Sequence, residues 1–69
     1  MNYEDFEELE PYDLIVPNRG KWKGVIFYVD FVDEDSENVK ATWSDMNDEP
    51  EPDPLPSVYF GRHSIDRID

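Results

Sequence analysis

The chain has no cysteine and a single histidine, His63. Disulfide staples, Cys-type zinc sites and a thiol nucleophile are excluded, and one imidazole cannot build a multi-histidine metal site. Cations are scarce: six Lys and Arg stand against 18 Asp and Glu, a formal net charge of −12. Phosphate contacts need clustered Lys and Arg, so direct binding of DNA, RNA or an anionic membrane is not expected. The longest apolar run, Val25 to Val29, has five residues, where a bilayer span needs roughly 20. The acidic N-terminus lacks the basic and apolar regions of a signal peptide. The expected location is the cytoplasm.

What is present is acid, aromatic side chains and proline. The 69 residues allow one small domain, and such a domain buries only about 60% of the surface its unfolded chain exposes. Eight aromatics between Tyr12 and Phe60 can each bury on the order of 150–250 Å². They suit a small β-core better than a catalytic cleft with its own supporting shell.

Residues 1–11 read as an acidic N-terminal segment. Tyr3, Phe6 and Leu9 recur every third residue, which predicts one face of a short helix capped by Asn2 and stopped by Pro11. So short a helix must dock on something. Residues 12–69 read as the body. Strands are expected at 12–16, from Trp22 to Val32 with Gly24 as a kink or bulge, from Val39 to Trp43, at Val58 to Phe60, and after a turn near Ser64 to Ile68. Between them, residues 44–57 alternate proline with acid. That pattern denies them helix and central strand and predicts an extended, mobile, polyproline-like loop. Val39, Ala41 and Trp43 share one face of their strand, so Trp43 is expected inside.

This order of segments resembles the SH3-like small barrels, especially the KOW and Tudor-like group and the short SH3-like proteins of phages and prophages. The residues that carry the resemblance are Asp13-Leu14-Ile15-Val16, Arg19-Gly20, Lys23-Gly24-Val25-Ile26, Val39 through Asp45, and Val58-Tyr59-Phe60 with Ser64 through Ile68. The resemblance implies an all-β, five-stranded SH3-like barrel carrying a short N-terminal helical segment and a long acidic, proline-rich loop.

Several constellations compete for a function. Asp33, Asp35 and Glu37 alternate as in an EF-hand loop, but Asn38 and Ser44 stand where that loop needs Gly and Glu; a solvated turn is the better reading. His63, Ser64 and Asp66 lie too close in sequence for a catalytic triad, and no nucleophile elbow or phosphate loop exists. The chain is read as no enzyme, with no cofactor. Trp22, Tyr28, Trp43 and Tyr59 could form a Tudor-like cage for a methylated cation, or simply the core, which is preferred. Arg19, Lys21 and Lys23 could make a KOW-like nucleic-acid contact, or simply balance neighbouring acids. The strand from Trp22 to Val32 is apolar on both faces, where an antiparallel strand normally keeps one face wet. Tyr3, Phe6 and Leu9 are expected to cover its outward face.

The reading that absorbs the acids is protein binding. The expectation is an accessory or inhibitory protein of phage origin that docks its carboxylates on a basic, nucleic-acid-binding protein, with DNA mimicry as the mode of docking. The expected partner-binding residues are Glu4, Asp5, Glu7 and Glu8 in the N-terminal segment and Asp48, Glu49, Glu51 and Asp53 in the loop, on a monomer or weak dimer.

Overall fold

Where the chain turns is dictated by a few backbone positions. Tyr12 and Glu37 take positive φ (74° and 55°), as do Gly20 and Gly24 (80° and 83°), and each lies between regular elements. The computed structural model, which describes residues 1–68, accordingly has α1 (Tyr3–Glu8), β1 (Leu14–Pro17), β2 (Phe27–Asp33), β3 (Asn38–Trp43), β4 (Ser57–Gly61), a 3-10 turn (Arg62–Ser64) and β5 (Ile65–Arg67). The five strands form one antiparallel sheet in the order β4-β3-β2-β1-β5.

Two expectations about strand limits fail for one reason. β1 starts at Leu14 because Tyr12 occupies the left-handed region. β2 starts at Phe27, not Trp22, because residues 18–26 close a turn on themselves. There the amides of Lys23, Gly24 and Val25 donate to the carbonyls of Gly20, Pro17 and Trp22. Gly24 belongs to that turn and does not kink a strand.

The bulge lies elsewhere. Phe27 pairs with Trp43 and Val29 with Ala41, but beyond a shift at Asp30 the pairs become Phe31 with Lys40 and Val32 with Val39. Directly opposite residues share a face, so Phe27, Val29 and Val32 point inward while Tyr28 and Phe31 point outward. The Thr42 hydroxyl donates to Asp30 Oδ2 at 2.7 Å and holds the extra residue on the outer side. A strand that reads as apolar on both faces is thus a strand whose inner face changes sides halfway.

One buried cluster contains Phe6, Leu9, Ile15, Phe27, Val29, Val39, Ala41, Trp43, Phe60 and Ile65. Trp43 is inside as its alternation predicts, 5% exposed, and Phe27 meets Phe60 edge-on with ring centroids 5.0 Å apart. α1 is capped by Asn2, whose Oδ1 accepts from the Asp5 amide at 2.8 Å. It inserts Phe6 and Leu9 into the common core and does not cover the outward face of β2. Phe31 and Tyr59 remain 46% and 57% exposed on that outer side. The sheet is not closed. β4 and β5, joined by one 3-10 turn, share no ladder with each other; Phe60 pairs with Val39 and Ile65 with Pro17, and the two side chains meet in the common core.

Candidate functional site

The segment expected to be a mobile loop is anchored at its start. Ser44 is 3% exposed; its amide donates to the Ile26 carbonyl at 3.0 Å and its Oγ accepts from the Met46 amide at 3.1 Å. Asn47 then reaches back to the approach of β2. Its Oδ1 accepts from the Ile26 amide at 2.8 Å, and its Nδ2 donates to the carbonyls of Ile26 at 2.9 Å and Ser44 at 2.7 Å. At the far end the Trp43 amide donates to the Pro56 carbonyl at 2.9 Å. The loop is therefore tied at both ends, and the prolines between restrict its backbone further.

Folded back in this way, the loop builds a cleft of roughly 400 Å³ lined by Tyr28, Trp43, Asp45, Glu49, Glu51 and Leu55, a volume in the usual range for ligand sites. Two of the expected partner-binding residues, Glu49 and Glu51, line it. Asp48 and Asp53 are exposed on the same loop but not in the lining. Asp45, Leu55 and the two rings join them only because β2 pairs with β3 and the loop returns. The signal in the sequence was the abrupt change from a clean alternation ending at Trp43 to acid and proline.

The other expected set stands at the opposite end of β3. Glu4, Glu7 and Glu8 are exposed on α1 and Asp5 is half-buried. The Tyr3 phenol is pushed above its ordinary value, first by the Glu7 carboxylate, then by partial removal from water, then by Glu34, with Glu37 adding to it. α1 thus shares its acidic surroundings with the β2–β3 turn, which sequence reading left out of the set. That turn is ordered by Asp33, whose Oδ1 accepts from the Asp35 and Ser36 amides. Six residues of β3 separate the two acidic ends by roughly 17 Å. Among the described residues only Glu8, Asp13 and Glu37 form ion pairs, with Arg67 and Arg62. The remaining carboxylates of the described residues have no cationic partner within ion-pair distance.

The proposed aromatic cage is not assembled. Trp22 packs edge-on against Phe27 at 5.6 Å, Tyr59 against Phe31 at 6.1 Å, and only Tyr28 and Trp43 share a cleft. Among the described residues Arg19, Lys21 and Lys23 form no ion pair with an acid. Arg19 donates to the His63 carbonyl and Lys21 lies over the Trp22 ring at 5.0 Å. His63 is exposed, with Nε2 3.2 Å from an Arg62 nitrogen. No helix of the described residues is long and apolar enough to cross a membrane. Set against protein-family models, curated proteins and solved structures, the chain matches none of them.

Proposed function

We propose that this protein is a non-enzymatic accessory or inhibitory protein that docks its acidic surface on a basic, nucleic-acid-binding protein in the manner of a DNA mimic. The observation that carries this reading is the mounting of its carboxylates. Mimicry of phosphates needs charges held in place, and both acidic ends are held: Glu4, Asp5, Glu7 and Glu8 on a capped helix anchored by Phe6 and Leu9, Glu49 and Glu51 on a loop tied through Ser44 and Asn47. The strand order, and the short turn between the last two strands, also support an SH3-like reading of the architecture.

The test compares two variants with the wild type in pull-downs across a salt series. One carries E4Q/D5N/E7Q/E8Q, the other D48N/E49Q/E51Q/D53N. Opposite charges give salt-sensitive association, so each variant is expected to lose partner at physiological salt, and duplex DNA should displace the partner from the wild type. Two silent variants, or a captured partner that DNA does not displace, would overturn the reading.

A further inference from the structure

The cleft between the loop and the sheet brings carboxylates against two aromatic rings, where a more open hollow at the β2–β3 turn sets Asp33, Glu34 and Asp35 beside the single ring of Phe31. The cleft lining holds three carboxylates, two rings and one leucine, and no cation. A compact positive group is what this chemistry accepts. A metal ion is not, since no three potential metal ligands converge among the described residues. Between organic cations the rings decide. A guanidinium is flat, weakly hydrated and rich in N–H donors, so it can lie against an aromatic face while two of its edges bond carboxylates; an ammonium is a strongly hydrated point charge. Leu55, 43% exposed on the wall, offers apolar surface for the methylene stem of such a side chain. The anchoring by Asn47 and the flanking prolines reduces the ordering that binding would otherwise require.

We infer that the cleft takes the guanidinium of one arginine of the partner, against the half-buried ring of Tyr28 and among Asp45, Glu49 and Glu51, with the nearly buried Trp43 closing its inner end. This rests on the reading of a basic protein partner and names the side chain that the partner inserts. The probes are three capped pentapeptides, Ala-Ala-X-Ala-Ala, with X as arginine, lysine or citrulline, titrated into isotopically labelled protein and followed by NMR. The arginine peptide is expected to give saturable shifts confined to Tyr28, the Trp43 indole, Asp45, Glu49 and Glu51. The lysine peptide should bind several-fold more weakly, and uncharged citrulline should give no saturable shift. E49Q/E51Q, which changes only exposed side chains, should lose about tenfold in affinity, the scale of one charge-assisted contact. Tyr28→Leu should lessen the preference for arginine over lysine. Shifts spread equally over Glu4, Glu7, Glu34 and the loop, the same for arginine and lysine, would overturn the cleft and leave acidic docking standing. Unchanged affinity in E49Q/E51Q would overturn it too. Localised arginine binding, with a loop variant that loses a partner which duplex DNA does not displace, would instead keep the cleft and remove the mimicry.

Discussion

Toward Ile26 the Asn47 amide behaves as a neighbouring strand would, accepting from its N–H and donating to its C=O. The side chain so extends the sheet by one rung at the point where β2 has not yet begun. Asn47→Ala removes both bonds and a third to Ser44, which should cost about 1–3 kcal/mol and, more tellingly, loosen Asp45 through Leu55. Faster amide exchange at Ile26 and across the loop, with β1 and β5 unchanged, would be the signature; unchanged exchange in the loop would mean the anchor is elsewhere. Nothing in the sequence points to Asn47, because its main partner, Ile26, lies 21 residues away and one amide among acids carries no periodic signal. Trp43 was legible for the opposite reason: Val39, Ala41 and Trp43 repeat at the period of a strand. The candidate cleft was legible only in pieces. Tyr28 and Trp43 stood out as aromatics and Glu49 and Glu51 as acids, but only strand pairing and the return of the loop bring them together.

Among the elements, α1 shows how a segment of six residues can be structured at all. A helix of that length is unstable alone in water, yet Phe6 is fully buried and Leu9 is 7% exposed. The three-residue spacing of Tyr3, Phe6 and Leu9 made the helix readable; its destination was not, because the bulge in β2 hid which apolar face needed cover. Phe6→Ala leaves a cavity at the centre of the cluster and should cost about 3–5 kcal/mol, which for a domain of this size lowers the Tm by roughly 12 °C or more. A melting curve within a few degrees of wild type would show that α1 adds little to the fold, and would deprive the carboxylates of Glu4 and Glu7 of their rigid mount. The turn at residues 18–26 was legible in kind, through Gly20 and Gly24, but not in extent.

At the scale of the molecule, the charge of −12 sits on a body 33 × 20 × 18 Å. The two acidic ends of β3 lie farther apart than the screening length of about 8–10 Å at physiological ionic strength. They therefore act as separate surfaces, and losses from neutralising each should add. Tyr3 senses the crowding at one end, because carboxylates of α1 and of the β2–β3 turn all raise its pKa. The unfolded chain, free of those neighbours, ionises its tyrosine first as pH climbs past about 10. Above that pH the native state binds more protons than the unfolded one, so stability falls as pH rises. Below it, Tyr3 is neutral in both states and adds no slope. Tyr3→Phe should match the wild-type dependence of Tm on pH up to about pH 10 and decline less steeply beyond it. Coincident curves above that point would mean that Glu7 and Glu34 do not crowd the ring.

The extra residue at Asp30 has a consequence for how this chain can change. Before it, odd-numbered positions of β2 are interior; after it, even-numbered ones are. Parity is thus a property of two half-strands, each with its own frame. Removing Asp30 would merge the two frames into one regular ladder, with Phe31 still opposite Lys40 and Val32 still inward opposite Val39, whereas removing Tyr28 with the later pairs kept would bring Asp30 opposite Ala41 on the inner face and turn Val29 outward. The same loss among the exposed residues of the 18–24 turn would leave every frame intact. The bulge is therefore a place where β2 can shorten without turning over, at the cost of the bond from Thr42 to Asp30.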